Sequence, residues 1–249
     1  MSLKFGSDVT NHYFSLKCIP QNSSVQKIYS IEYKIEPSER INNTRDGFGN
    51  AIYIGHCLKP HNHFGFNICG IAWIDNSKAR KEVLNRIFLY ESKYIKFSNR
   101  MKGLFRRINV NNENSNIKNA MIIMEYLYGS ISYIKGVTDI NTTTEDVLKL
   151  KCGVCQDYSH LMIGLCRLSG IPARYVAGLM IGEGETHAWV EIYNDGIWMG
   201  LDPTNNKVVD DYYIKLSHGR DYGDCIIDKG SFLGITNQEQ KVYVLVEEI

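Results

Sequence analysis

Three residues combine type and spacing suited to acyl chemistry: Cys155 in "KLKCGVCQDYSHLMIGLCRLSGIP", and His187 and Asp202 in "THAWVEIYNDGIWMGLDPTNN". A thiol supplies a nucleophile, an imidazole moves its proton, and a carboxylate holds the imidazole in one orientation and tautomer. Cys155 has a neighbour, Cys152, that makes a C-x-x-C and raises two other readings. A redox dithiol normally follows a buried apolar strand, whereas the feeder here is "TTTEDVLKL", polar and helical. A structural zinc site needs two further ligands at compatible spacing, and no second C-x-x-C or H-x-x-x-H follows. His56, Cys57, His61 and His63 cluster in strand-and-turn text with one cysteine, and are expected to be surface or partly buried histidines. No metal and no cofactor is called for, and the chemistry falls on Cys155, His187 and Asp202.

Each of the three needs an element to place it. Gly153 permits a tight turn, and Cys155 opens an apolar helical pattern that runs to a Gly170 stop with Pro172 beyond. A cysteine at a helix start meets the positive end of the dipole and free N–H groups, which favour a thiolate and can bind an oxyanion. Cys166, three turns further along, is expected to be an inert core thiol, and Asp157 a structural carboxylate stabilised by the dipole. Two alternating runs flank Asn194-Asp195-Gly196 and predict an antiparallel hairpin. With Asn194 and Asp195 as the loop, His187 falls opposite Asp202, Trp189 opposite Gly200 and Glu191 opposite Trp198. Ala188, Val190, Ile192, Ile197, Met199 and Leu201 then form the core face. A three-residue loop with a bulge at Gly196 would slip the pairing by one and keep His187 and Asp202 near each other.

The rest of the chain supplies the frame. Its 249 residues are 44% hydrophobic, enough to bury a full core in one large or two smaller domains. Residues 1–76 read as a small β-rich domain: "SVQKIYSIEYKIEPS" alternates, and "TRDGFGNAIYIGHCL" carries turns at Asp46-Gly47 and Gly49-Asn50. Residues 77–249 are expected to form a second domain, the one that carries Cys155, His187 and Asp202. It opens on a helical pattern, "KARKEVLNRIFLYESKYIKFSNRMKGLFRRI", interrupted by "NVNNENSN". Ile117, Ala120, Met121, Met124, Leu127 and Tyr128 mark the buried stripe of a further helix, and Thr143 or Thr144 caps a short one. Lys plus Arg number 28 against 27 Asp plus Glu, so no overall field recruits nucleic acid or a membrane. The seven cysteines are an odd, scattered count and read as reduced thiols. With no h-region at the start and no long apolar run, the expected location is the cytoplasm.

The blocks "TDINTTTEDVLKLKCGVCQDYSHLMIGLCRLSGIPARYVAGLM", "THAWVEIYNDGIWMGLDPTNN" and "HGRDYGDCIIDKGSFLG" resemble the bacterial form of the transglutaminase-like superfamily of papain-type cysteine proteases and acyl transferases. The resemblance spans residues 133–234, and "RDGFGN" resembles the β-rich N-terminal region of such proteins. It implies an α+β fold in which a helix carrying Cys155 packs on an antiparallel sheet carrying His187 and Asp202, and it implies the same three residues as nucleophile, base and orienting acid. Cys152 departs from the family pattern and is read as a bystander, with an inhibitory Cys152–Cys155 disulfide left open.

The expected function is a cysteine-nucleophile hydrolase acting on a peptide, protein or small amide through a thioacyl enzyme. An acyl transferase to an amine acceptor and a noncatalytic binding module are the alternatives, with a redox protein behind them. Trp189, Trp198, Tyr175, Arg220 and Tyr222 are candidates for the cleft lining, and Asp224 and Asn205 receive no role.

Overall fold

Fifteen residues of the N-terminus, with apolar side chains spaced along them, form the longest strand of the chain, β1 (Ser2–Leu16), in a computed structural model that describes residues 1–111 and 113–249. Asn11 takes a positive φ of 47° in the interval where the pairing of β1 shifts, and the strand changes partners across it. The first half pairs with β5 (His61–Ile74) and the second with β4 (Ala51–Cys57). β2 (Gln26–Glu36) and β3 (Arg40–Arg45) add the two edges, giving the order β2-β5-β1-β4-β3. Phe5, Val9, Phe14, Leu16, Ile35 and Phe64 fill this curled sheet. Burial of each such side chain contributes about 1.5–3 kcal/mol.

The expected helical run from residue 77 is mostly absent. Only two short 3-10 turns, Asn76–Lys78 and Arg86–Leu89, and the helix α1 (Asn99–Phe105) form there. Helix propensity in this basic stretch is a weak prior, and tertiary contacts override it. Glu82 N–H donates to Gly196 O, Tyr193 Oη donates to Glu82 O, and Phe88 is buried against Trp198 and Phe48. The segment is a strap across the second sheet. α2 (Asn116–Ser130) forms as expected, with its buried stripe rotated: Ala120, Ile123, Met124 and Leu127 are inside, while Met121 and Tyr128 are about half exposed.

The remaining elements assemble the site. A two-residue strand β6 (Ser132–Tyr133) pairs in parallel with β7 (Cys152–Gly153). Between them lies α3 (Thr144–Leu150), capped by Thr143 in a reciprocal box with Asp146. α4 (Cys155–Leu168) follows directly and ends before Gly170, which takes φ 76°. It packs on a sheet built from β8 (Ala173–Met180), β10 (His187–Asn194), β11 (Ile197–Asp202), β12 (Lys207–Val208) and β13 (Tyr213–Gly219), ordered β12-β11-β10-β8-β13. A separate small strand, β9 (Gly182–Gly184), precedes His187 and pairs with β16 (Val244–Val246). β14 (Asp228–Leu233) and β15 (Gln238–Lys241) return to the first sheet, where both pair with β1.

Two side chains of the N-terminal region, Asn50 and Gln26, reach the second sheet with paired hydrogen bonds. Asn50 Nδ2 donates to His218 O and its Oδ1 accepts from His218 N–H, while Gln26 makes the same exchange with Lys215. Among the described residues no helix is long and apolar enough to cross a membrane. The architecture is α+β, with a β-rich N-terminal region ahead of a helix-on-sheet core.

Candidate active site

The hairpin that carries His187 and Asp202 turns at Asp195-Gly196, not at Asn194-Asp195. Asp195 and Gly196 take φ of 50° and 95°, the two positive values that a tight hairpin loop needs and that Asp-Gly supplies readily. Asn194 therefore pairs with Ile197, Tyr193 with Trp198 and Glu191 with Gly200. The expected register is off by two residues, an even shift, which leaves every side chain on its expected face. Val190, Ile192 and Leu201 are fully buried beneath α4. His187 and Asp202 share the opposite face, displaced along the strands, and His187 Nε2 donates to Asp202 Oδ2 at 2.7 Å.

Asp202 is completely buried and surrounded by donors. Tyr213 Oη and Asn205 Nδ2 also donate to Oδ2, at 2.7 and 2.8 Å, and the backbone N–H groups of Thr204 and Asn205 donate to Oδ1. Burial alone would raise the carboxyl's pKa, but His187, Tyr213 and Asn205 outweigh it and hold the pKa below the usual value. The acid is fixed as an anion with its lone pairs aimed. Tyr213 and Asn205 are the residues that sequence reasoning missed. Asn205 lies three residues after Asp202, a spacing that favours a local Asx-type bond, whereas Tyr213 carries no local signal and arrives from a separate strand.

Burial also acts on His187 and lowers its pKa. The hydrogen bond to Asp202, then the neighbouring Cys155 thiol and the charges of both groups, reverse this and raise it to about 9. The ring stacks on Trp189, with centroids 6.5 Å apart, and tilts against Tyr213. With Nε2 committed to Asp202, Nδ1 is the nitrogen free to face the thiol. Cys155 is the first residue of α4 and is partly exposed.

Gly153 is not in a tight turn. It lies in extended backbone, and its lack of a side chain matters for space: a Cβ would stand 2.5 Å from Asp157 Oδ2. Asp157, fully buried, accepts from Val154 N–H at 2.8 Å and from Thr138 Oγ1 at 2.7 Å, which ties the start of α4 to the preceding loop. Burial pushes its carboxyl pKa up. Asp157 and Tyr158 donate their own N–H groups to Val154 O. Those of Cys155 and Gln156 have no protein acceptor among the described residues and remain for an oxyanion.

Cys152 and Cys155 are too far apart in this conformation for the disulfide left open above, which would require the backbone to move. Residues 152–154 are extended, with Val154 at φ −114° and ψ −174°, so at ~3.3 Å per residue the two Cα atoms stand about 10 Å apart. A disulfide needs less than about 7 Å. Cys166 and Cys225 are fully buried, and burial pushes the Cys166 thiol up to about 12.

The expected lining residues divide. Tyr175 is buried close enough to Cys155 for the thiol's charge to add to the burial that raises its phenol, and Tyr222 packs edge-on against it. Trp198 lies elsewhere, under Arg174 and beside Phe88 and Tyr193. Arg220 is clamped by Asp224 through Nε at 2.8 Å and Nη2 at 3.0 Å, which gives Asp224 its role. His160, buried on α4, stacks on Tyr94 and accepts from Tyr222 N–H. His61 is buried against His12, while His56 and His63 stay nearer the surface.

Residues 102–203 match the family model of the transglutaminase-like superfamily, and residues 1–72 match that of the bacterial transglutaminase-like N-terminal region. An uncharacterized protein of Mycobacterium leprae is 33% identical over 92% of this chain and 90% of its own length. An uncharacterized protein of Mycobacterium bovis is 37% identical over 47% of this chain and 41% of its own length. Among solved structures, "a Putative Cysteine Protease from Cytophaga hutchinsonii" superposes with a TM-score of 0.74 at 22% identity, covering 100% of this chain and 94% of that one, a likeness of fold. Both family matches and the full-length relative agree with the helix-on-sheet core described above: the chain belongs to the transglutaminase-like superfamily.

Proposed function

We propose that this protein is a cysteine-nucleophile hydrolase of peptide or amide bonds, with Cys155 as nucleophile, His187 as general base and acid, and Asp202 as the orienting carboxylate. One observation carries the reading: a mostly buried imidazole bonded to a sealed, five-donor carboxylate, with its pKa raised by that carboxylate and by a helix-start thiol together. A structural histidine needs no such arrangement.

The steps follow from the geometry. Cys155 gives its proton to His187 Nδ1 and the thiolate attacks the substrate carbonyl, forming a C–S bond. The negative oxygen is met by the Cys155 and Gln156 N–H groups. His187 returns the proton to the leaving amine as the C–N bond breaks, and Asp202 balances the imidazolium throughout. A water deprotonated by His187 then hydrolyses the thioester and frees the acid.

The family match supports a second reading, in which a primary amine replaces water and forms a new amide. The test supplies an activated acyl or peptide substrate with and without a millimolar primary amine, and follows both products by mass spectrometry. Free acid as the main product in both is the expected result, and predominant amide exchange at low amine moves the protein to the transferases. Limiting iodoacetamide near neutral pH is expected to modify Cys155 first. Preferential labelling of Cys152 would count against the assignment, and loss of activity in both Cys152→Ser and Cys155→Ser would revive a dithiol.

A further inference from the structure

Two side chains at the mouth of the site have no part in the chemistry above. Tyr133 is placed by the β6–β7 pair, opposite Gly153 and so two residues from Cys155 along the neighbouring strand. The residue is 48% exposed, and its ring rests against Tyr158. Glu185 lies two residues before His187, in the bend that follows β9, and β16 holds β9 in place from its other side through Val244–Gly184 and Val246–Gly182. The β6–β7 register thus sets Tyr133 beside the residues that lead into Cys155, and the bend before β10 sets Glu185 beside His187 on the other side of the thiol. Burial first, then the charges of Cys155, Glu185 and Asp202, raise the Tyr133 phenol, in keeping with that placement.

Glu185 is exposed and forms no ion pair among the described residues. The other charges nearby do not occupy it. Lys207 pairs with Asp210 at 3.2 Å. An aromatic face and an unpaired carboxylate flanking one thiol offer a cation both a quadrupole and a counter-charge.

We propose that Tyr133 and Glu185 form a specificity subsite for a cationic group, an ammonium or guanidinium, carried by the acyl substrate next to its scissile carbonyl. The subsite deepens the hydrolase reading and rests on Cys155 being the nucleophile. Its consequence is a preference for basic peptides or amides over neutral and acidic ones. Glu185 would supply the charge selectivity, and the Tyr133 ring a flat surface for the aliphatic stem below it.

Two experiments test it, and only one needs turnover. In the first, 2-bromoethylammonium, iodoacetamide and iodoacetate alkylate the intact protein, and rates at Cys155 are read by mass spectrometry for wild type, Glu185→Gln, Tyr133→Phe and Tyr133→Ala. Glu185→Gln is expected to lower the ratio of cationic to neutral rates about three- to tenfold, the effect of one partly screened charge at close range. Tyr133→Ala is expected to lower it less, and Tyr133→Phe to retain it. In the second, peptide amides with lysine, norleucine or glutamate before the scissile bond are compared by kcat/KM, and the lysine preference is expected to fall in Glu185→Gln by a similar factor. Ratios in Glu185→Gln equal to wild type overturn the subsite. Hydrolysis of none of the peptides, with the alkylation ratio shifted as expected, would sink the hydrolase reading and leave the subsite standing.

Discussion

Two histidines, His12 in the first sheet and His187 in the second, are treated alike by burial and oppositely by their partners, an imidazole and a carboxylate. In the N-terminal sheet His12 is 2% exposed, with its Nδ1 3.1 Å from Nε2 of His61, inside a box of Phe5, Phe14, Phe64 and Phe232. Burial first, then the second imidazole, lowers the His12 pKa to about 4. In the second sheet burial pulls His187 the same way, but Asp202 and Cys155 raise it to about 9. An aromatic box favours the neutral histidine, and a sealed carboxylate favours the charged one. The same contrast holds within α4, where fully buried His160 has an N–H as its bonded partner and its pKa falls to about 4.

The sharpest way to break the contrast is to neutralise the carboxylate. Asp202→Asn keeps the shape and lets His187 drift in orientation and tautomer, and turnover is expected to fall by about two to four orders of magnitude with the fold intact. Circular dichroism and kcat on the same sample check it. An active variant would show that Asp202 does not orient the base, and an unfolded one would make the residue structural.

How much of this was legible in the sequence follows from how local each signal is. The start of α4 is a local matter of capping and periodicity, and it fell on Cys155 as expected. The hairpin's two faces depend only on parity, so the core face of Val190, Ile192 and Leu201 was legible even though the turn was placed one residue early and the register shifted by two. The strap over residues 79–98 was not legible, because its conformation is set by Gly196, Tyr193 and Trp198, more than a hundred residues away in the chain. Tyr213 was hidden for the same reason. The return of β14 and β15 to the first sheet was equally invisible, since alternation shows that a strand has a buried face but not which sheet covers it.

A smaller effect should come from Tyr213, one of the five donors to Asp202. Tyr213→Phe keeps the ring against Trp189 and removes only the hydroxyl. A hydrogen bond to a charged group is worth about 1.5–3 kcal/mol. Because Asn205 and two backbone N–H groups remain, the expected loss in kcat is about tenfold. The acid limb of the kcat–pH profile reads the cause: with less competition for Asp202 the His187 bond tightens and the limb moves upward in pH. A variant with unchanged activity and profile would make Tyr213 packing alone.

The two histidines should also leave opposite marks on stability. His187 has a folded pKa above its ordinary 6.5, so its contribution is fully present below that value and is lost as pH rises through about 9. His12 and His160 have folded values near 4, so the unfolded chain binds their protons more readily, and stability falls as pH drops from 6.5 towards 4. Buried His218 adds to that acid limb, and Asp228, raised by burial to about 6, offsets part of it. Urea midpoints measured from pH 4 to 9 are expected to show both limbs. Asp202→Asn should flatten the limb between 6.5 and 9 and leave the loss between 6.5 and 4 in place. An alkaline limb that survives the substitution would mean that His187 is not charged by Asp202.

The smallest effect is expected at Cys152, although it is the residue nearest to Cys155 with the same chemistry. Three extended residues keep the two thiols apart, and β7 anchors Cys152 to Ser132 while Cys155 begins a helix. The two sulfurs therefore meet only if the β6–β7 pair opens and the Asp157 clasp on Val154 lets go. Cys152→Ser should keep kcat within about twofold of wild type under reducing conditions, as for a partly exposed substitution away from the reacting atoms. Mild oxidant sharpens the test. If no disulfide forms, wild type and Cys152→Ser lose activity at the same rate, through oxidation of Cys155 alone, and thiol reductants restore only the sulfenic fraction. Protection by the serine variant, with full recovery of wild type on reduction, would show that the start of α4 opens far enough for the two cysteines to join.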